Sequence, residues 1–568
     1  MSKLSKYFET HRDADGVFRM HVALDGYALL RLAPTNKGTA FTQEERRRLG
    51  LDGLLPPRVS TLDEQIERSY AGFVKEPTDL AKYTYLRAVQ ERNETLYYAL
   101  LERHLPEMLP IIYTPTVGDA VRQYSNIYQS ARGISVSTIN IDHADEVLAN
   151  VHYDDIRMIV ATDSSAILGI GDQGFGGVAI SIGKLALYTA GGGVSPYRCL
   201  PVGLDVGTER ADLLNEPRYL GVRQKRLRGA EYFAFMDRFV DAVRKRYPEA
   251  VLQWEDLSKD TAFSVLERYR KKLPSFNDDI QGTGAVALAG VLSACRLRGD
   301  AIRDQRFVIL GAGAGGAGVA WELVRGMQHD GLSHDEAMSR MFLIDSKGLV
   351  SEDRPMEEYK RPFAKSRDVV ARVGSTLEEV VARAKPTALL GLSGQPGTFT
   401  ETIVRNMARN SERPIVFALS NPTSSCEAQP VDIVRWTDGR AIVSTGSPFA
   451  PVEHGGKMIE IGQGNNAFIF PGLGYGAILA KATEITEAMV TSAAMALADY
   501  TAAHQAGSGL IYPPVTELRE VAAHVAARVI AQAFADGVAR SSTIKPDDAL
   551  SYARSKMWQA KYLEFVRG

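Results

Sequence analysis

The chain has 568 residues, 45% apolar and 24% charged, ordinary values for a folded globular protein and far from those of disordered or fibrous chains; at about 100 to 200 residues per domain, two to four domains are expected. Lys plus Arg is 66 against 68 for Asp plus Glu, a net charge of −2, which provides no field to hold nucleic acid or an anionic membrane, so neither is expected as a partner. Three cysteines without C-x-x-C spacing, Cys199, Cys295 and Cys426, exclude a disulfide framework and a zinc knuckle and point to the cytoplasm. The first twenty residues are charged and lack the apolar core of a secretory signal. The longest apolar run, Gly284 to Cys295, falls short of the ~20 residues of a membrane span.

In chain order, residues 34–57 have turn residues at both ends and one short charged helix between them. From Leu62 to about Leu109 apolar residues recur at three and four, which predicts an N-terminal helical domain over 1–129. The runs IIYT, SVSTIN, IRMIVAT and AILGIGD read as strands, followed by helix-like AISIGKLALYTA. They predict a catalytic α/β domain over 130–279, to which the Ala-rich helical stretch 467–540 returns. Residues 280–466 form the clearest region. FVILG, MFLID, TALLGLSG, PIVFALSNP and AIVSTG alternate with helical spans, which predicts a Rossmann-type, doubly wound parallel sheet. Ser333 to Glu336 has capping-box spacing and marks a helix start there. A tail over 541–568 completes a multi-domain α/β protein.

Phe307 to Leu310 runs into Gly311-Ala312-Gly313-Ala314-Gly315-Gly316, a strand feeding a G-x-G-x-x-G turn that opens a helix, the arrangement that receives a dinucleotide pyrophosphate. Asp345 ends the next strand, 32 residues past Gly313. There it meets the adenosine ribose and favours NAD, because a carboxylate repels a 2′-phosphate. Ser346, Lys347, Lys360 and Arg361 follow and offer such a phosphate a hydroxyl and positive charge, so NADP stays open. Two acidic pairs, Glu255-Asp256 and Asp278-Asp279, end apolar runs. Buried neighbouring carboxylates repel unless a cation neutralises them, and an all-oxygen set suits Mg2+ or Mn2+; each pair alone also reads as a helix cap or solvated turn. Lys184 lies in an apolar segment, where it is either a proton acceptor or a snorkelling edge lysine. Tyr113 before a proline turn is an acid or a space-filler, and Asn421, Asn465 and Asn466 are substrate contacts or turn residues.

Together these blocks resemble the malic enzymes and the malolactic enzymes that share their fold. The resemblance runs from NKGTAFT at Asn36 through YTPTVG at Tyr113, ILGIGDQG at Ile167, IGKLALYTA at Ile182, LDVGT at Leu204 and QWEDL at Gln253. It continues through SFNDDIQGTGA at Ser275, GAGAGGAG at Gly311, LSNPT at Leu419, STGSPFAP at Ser444 and GQGNNAFIFPG at Gly462. It implies that Tyr113 is the general acid, Lys184 the general base, Asp278 the carboxylate supporting that lysine, and Glu255, Asp256 and Asp279 the Mn2+ or Mg2+ ligands. It further implies that Asn421, Asn465 and Asn466 contact malate or the nicotinamide, that Asp279 and Asn421 also adjoin the cofactor, and that the protein is a homodimer or homotetramer. The implied reaction is oxidative decarboxylation of (S)-malate to pyruvate and CO2 with NAD or NADP.

One position departs from the family. Malic enzymes carry Gly-Glu-Arg before ILG, the arginine holding the substrate carboxylate; here Ala166 occupies the arginine position. Loss of such a contact costs roughly 2 to 3 kcal/mol of transition-state binding. Malolactic enzymes also lack this arginine and have a run similar to QPGTFTE at Gln395, so conversion of malate to L-lactate with tightly held NAD is the alternative. YTPTVG and the DSKGL run favour the malic enzyme. Two rival classes are a dehydrogenase-like binding protein without catalysis and an amino-acid dehydrogenase. The intact Tyr113 and Lys184 argue against the first and the acidic pairs against the second.

Overall fold

The computed structural model describes residues 4–505 and 507–568. The chain folds as two compact units, Met1–Asp256 with Arg554–Gly568, and Leu257–Ala553.

The first unit opens with an antiparallel hairpin, β1 (Phe8–Arg12) and β2 (Phe18–Val22), and the C-terminal strand Glu564–Arg567 runs parallel to β2. No strand was expected in this charged stretch. Only Phe8, Met20 and Val22 face inward, onto Phe41 and Phe565, so the alternation is too short and too polar to stand out. After two short helices, Gly26–Arg31 and the charged Gln43–Arg48 expected from sequence, come α1 (Leu62–Lys75), α2 (Asp79–Arg92), α3 (Glu94–Arg103) and α4 (Leu105–Ile112). A reciprocal capping box between Thr61 and Glu64 starts α1. IIYT is not a strand: Ile111 and Ile112 close α4, which a proline at its start pre-organises. AILGIGD is not one either; it is a loop with a single bridge between Ile167 and Gly171. The expected strands SVSTIN and IRMIVAT do form, as β3 (Ile134–Ser137) and β4 (Met158–Thr162). After α5 (Val178–Ala190) come β5 (Cys199–Asp205), α6 (Gly229–Arg246) and β6 (Val251–Glu255). The four strands lie parallel in the order β3-β5-β4-β6, and β4 and β6 are buried along their whole length, as strands of a covered parallel sheet are.

In the second unit, a π-turn at Asp278–Gly282 runs into α7 (Thr283–Arg298). The continuous 21-residue helix is longer than the apolar run and meets the length and composition of a membrane span, but 78% of its apolar window is buried inside the protein; it is a core helix. The sheet comprises β7 (Phe307–Leu310), β8 (Met341–Asp345), β9 (Gly348–Leu349), β10 (Ala388–Gly391), β11 (Ile415–Ala418), β12 (Ile442–Thr445) and β13 (Gly462–Gln463), in the order β9-β8-β7-β10-β11-β12-β13. All pairings are parallel except β9 with β8. The five strands read from sequence are its centre, and the Ser333/Glu336 capping box is present. The chain leaves β7 toward β8 on one side and later returns to β10 on the other, so the carboxyl ends of β7 and β10 flank a topological switch point.

Helices α8 (Phe470–Ala480), α9 (Glu487–His504) and α10 (Leu518–Ala535) belong to this second unit, not to the earlier α/β region as expected. Gly472 and Gly476 leave no room for a Cβ against Val525 and Val529, so α8 seats closely on α10, while α9 packs on α7. An Ala-rich composition cannot announce which helix receives such a face.

Candidate active site

In the first unit Lys184 projects from α5 and Glu255 ends β6; Lys184 Nζ lies 2.9 Å from Glu255 Oε1, with the side chains 1% and 3% exposed. The apolar segment that carries Lys184 is therefore core, and the lysine is not a snorkelling one. Gln253 donates to Glu255 Oε2 at 2.6 Å and accepts from the Tyr188 hydroxyl at 2.5 Å, which fixes the carboxylate. Lys184 Nζ also stands 5.2 Å from the centre of the Tyr113 ring. That approach depends on Gly183, where a Cβ would come within 2.6 Å of the Ile112 carbonyl. Tyr113, Lys184 and Glu255, read separately in sequence, meet here.

Asp256 is buried and adopts φ +52°, a left-handed conformation that aspartate tolerates better than most residues. Its carbonyl accepts the Ala166 N–H and its Oδ1 the Leu168 N–H, both at 3.0 Å. Ser164 (φ +61°) and Leu168 (φ +45°) on the same loop are left-handed as well. Backbone strain of this kind collects at functional sites, and the loop is the one that carries Ala166. Sequence reading missed Asp163 and Arg226 here. Asp163 accepts from the Tyr232 hydroxyl at 2.8 Å and from the Ser165 N–H at 2.9 Å, and Arg226 donates to the Asp163 carbonyl at 2.7 Å and to Asp172 at 2.6 Å. Burial pushes the Asp172 carboxyl up, but Arg226 together with the Glu209 and Gly174 N–H groups outweighs it and the net shift is downward.

In the second unit Asp278 is fully buried and its Oδ2 accepts from Asn466 Nδ2 at 2.9 Å. Asn277 caps the turn by accepting the Ile280 N–H at 2.9 Å. A Cβ on Gly318 would strike the Ile280 carbonyl at 2.2 Å, so the helix after β7 (Ala314–His329) seats directly on the Asp278-Asp279 turn. Asp279 is half-buried, and its carbonyl faces Gly315 of the glycine turn. In that turn, Gly311 has φ +106° and passes the Leu392 carbonyl where a Cβ would be 2.3 Å away; Gly316 lies against the Gly311 carbonyl; and Gly313 has open space before it. Ala312 and Ala314 complete the loop. These are the three jobs of a dinucleotide fingerprint: tight turn, open approach, and close helix packing.

Asn421 Oδ1 accepts from the Ser447 hydroxyl at 2.6 Å, and Asn465 Oδ1 accepts the Ala467 N–H at 2.9 Å, serving its own turn. Asp345 does not stand alone at the end of β8: Arg354 reaches it at 2.9 Å and Lys360 at 3.2 Å. Burial raises its carboxyl, but the Lys347 N–H, Lys360 and Arg354 together bring it below the ordinary range. Lys360 is thus held by Asp345 and Glu357, and the exposed Arg361 pairs with Glu358. Glu427, which no motif singled out, is fully buried between the ends of β10 and β11. Its Oε1 accepts the N–H and hydroxyl of Ser393, each at 2.8 Å, and the Ser420 hydroxyl at 2.5 Å.

A glycine turn at the switch point of a doubly wound sheet, in a chain that also buries a Lys-Glu pair beside a tyrosine, defines a nucleotide-dependent α/β enzyme class. Comparison with known proteins narrows it. The model described as malic enzyme, N-terminal domain matches residues 90–270, and that described as malic enzyme, NAD binding domain matches 280–534. The chain is 45% identical to an NAD-dependent malic enzyme of Aeromonas hydrophila over 96% of its own length and 98% of the relative's. It is 44% identical to that of Acinetobacter baylyi with the same coverage. Among solved structures, the Entamoeba histolytica malic enzyme shares the fold, with a TM-score of 0.57 and 22% identity over 89% of this chain and 90% of the other. This chain belongs to the malic enzyme family.

Proposed function

We propose that the chain converts (S)-malate, with NAD+, to pyruvate and CO2. The carrying observation is the buried Lys184–Glu255 pair against the Tyr113 ring, supported by whole-length similarity to NAD-dependent malic enzymes. The residues that the resemblance implies as ligands, Glu255, Asp256 and Asp279, offer oxygen donors only, the chemistry that suits a hard divalent cation such as Mn2+ or Mg2+. When bound, that cation supplies Lewis acidity at the substrate's C2 oxygen, and NAD+ supplies the hydride acceptor.

The remaining chemistry is the chain's own. Lys184 accepts the C2 hydroxyl proton as hydride leaves C2, and Glu255 holds its ammonium in place. Tyr113 delivers a proton to C3 of the enol left by loss of CO2. Asn466, through its bond to Asp278, and Asn421, through Ser447, orient substrate and nicotinamide. Gly311 to Gly316 receive the pyrophosphate and Asp345 the ribose, with NAD preferred over NADP. A homo-oligomer in the cytoplasm completes the reading.

The test is a product assay with (S)-malate, Mn2+ and either NAD+ or NADP+, following cofactor reduction, pyruvate and lactate. Equal pyruvate and reduced NAD are expected, with activity lost in EDTA and restored by Mn2+. Lactate without net reduction would instead make this a malolactic enzyme and give Ala166 its meaning, and no product in either arm overturns both.

A further inference from the structure

The hairpin at the N-terminus carries a second cluster of ligating side chains that the reaction does not use. In its register His11 stands opposite Arg19 and Glu9 opposite His21. These four residues share the outward face, while Phe8, Met20 and Val22 fill the core below. Asp13, just past β1, turns its carboxylate back across that face. Its Oδ1 lies 2.8 Å from His21 Nε2 and 3.2 Å from His11 Nε2. The two imidazoles stack with centroids 3.9 Å apart at 15°, so both present the same nitrogen to one point. One ligand atom from each of His11, Asp13 and His21 lies within 4.8 Å of the other two.

We propose that His11, Asp13 and His21 form a binding site for a first-row transition-metal ion of the Zn2+ class. Three features carry it. First, tetrahedral Zn2+ with ligands at about 2.0 to 2.1 Å separates neighbouring donors by roughly 3.3 Å, so the nitrogen-to-oxygen distances need little change to admit the ion. Second, Arg19 Nη1 holds the other carboxylate oxygen, Oδ2, at 3.1 Å. Arg19 is itself held by Asp15 and by Glu564 of the C-terminal strand, at 2.7 and 2.6 Å. The carboxylate is thereby oriented from behind, as metal-binding carboxylates commonly are, and Glu9, Asp13, Asp15 and Glu564 outnumber Arg19 and Arg48, the latter also paired to Glu564. Third, the three ligand side chains are 20 to 29% exposed, enough for an ion and its remaining water to enter without unfolding.

The donor chemistry separates this site from the carboxylate set. Two imidazoles and one carboxylate favour Zn2+, Co2+ or Ni2+, whereas Glu255, Asp256 and Asp279 suit Mg2+ or Mn2+. Three protein ligands leave a position for water. The ion ties both strands of the hairpin together, and the C-terminal strand is joined to it through the pairing of β2 with Glu564–Arg567. Its role is to clasp the two chain ends.

The full-length, EDTA-stripped protein, held in excess Mg2+ to satisfy the oxygen donors, is titrated with Co2+ by visible absorption and with Zn2+ by calorimetry. One equivalent of each ion per chain is expected, with the visible bands of low-coordinate Co2+ and a Zn2+-dependent rise in melting temperature. His21→Gln and Asp13→Asn are each expected to weaken binding at least about 100-fold, while their melting temperatures in EDTA match the wild type. His143→Gln, outside the cluster, binds as the wild type does. Absence of uptake by the wild-type protein in Mg2+, or unchanged binding by both cluster variants, overturns the proposal.

Discussion

Glu255 Oε1 sits 2.9 Å from Lys184 Nζ, and neither side chain is more than 3% exposed. One carboxylate thus has two tasks: it is the counter-ion of the proposed base and, through its place beside Asp256, a donor to the proposed cation. A buried ion pair adds little net stability, but breaking it leaves an uncompensated charge in the core.

The pair separates chemistry from folding. Lys184→Arg keeps a cation against Glu255 but replaces the base with a group that stays protonated. Turnover should fall by roughly 10^2 to 10^4 while the melting temperature changes little. Lys184→Met should lose turnover and also about 3 to 5 kcal/mol of stability. Steady-state kinetics and calorimetry on both variants read this, and near-normal turnover in Lys184→Arg would remove the lysine from the mechanism.

Glu427 organises the two loops at the switch point. Glu427→Met keeps the side-chain length but removes the acceptor of the Ser393 N–H and of the Ser393 and Ser420 hydroxyls. The loops that carry Asn421 should shift, and a displacement on the order of 1 Å costs up to about 100-fold in rate. A fall in kcat/KM for NAD+ of 10- to 100-fold is expected, with roughly 1 to 3 kcal/mol of stability lost. Unchanged cofactor kinetics in a folded variant would reduce Glu427 to a packing residue.

Asp345 holds Lys360 and Arg354, and in the proposed reading it sets the cofactor preference by doing so. Asp345→Ser removes the carboxylate that repels a 2′-phosphate and frees Arg354 for it, with Lys360 left paired to Glu357 alone. The ratio of kcat/KM for NAD+ over NADP+ should drop at least about tenfold; an unchanged ratio would place discrimination elsewhere.

Glu322 supplies a pH signature. Burial pushes its carboxyl up to about 7, with Glu487 adding to the rise and Arg325 opposing it. Its folded pKa lies above the unfolded value, so the folded state holds a proton that the unfolded state releases. The contribution is fully present below the unfolded pKa, near 4.5, and is lost as pH rises toward 7. A shift of this size corresponds to about 3 kcal/mol across that window. Glu322→Gln, which keeps an oxygen for Thr491, should therefore flatten the decline in stability between pH 5 and 7.5. Parallel denaturation curves for variant and wild type at both pH values would contradict the assignment.

Legibility followed the range of the interactions. The glycine turn, the five central strands and the Ser333/Glu336 cap were plain in sequence because each depends on a few adjacent residues. IIYT misleads, since a short apolar run has no periodicity to separate strand from buried helix, and here burial of Met108, Leu109, Ile111 and Ile112 favours helix in spite of Pro110 within it. Glu427 and Arg354 were invisible: a lone charge in a polar loop reads as solvated surface until packing buries it. The β1–β2 hairpin escaped notice because its outward face is made of His11, Arg19 and His21.

Residue order alone is enough to place this chain among the malic enzymes, to mark the dinucleotide turn, and to name Tyr113, Lys184 and the two acidic pairs as candidates. Packing between distant segments settles the rest. It sets Glu255 against Lys184, ties Asp345 to Lys360 and Arg354, buries Glu427 behind two serines, and turns Asp13 onto His11 and His21. The reason is physical: backbone propensity and hydrophobic period are local quantities, whereas an ion pair or ligand set exists only once long-range burial has brought its members within a few ångströms and removed the water between them.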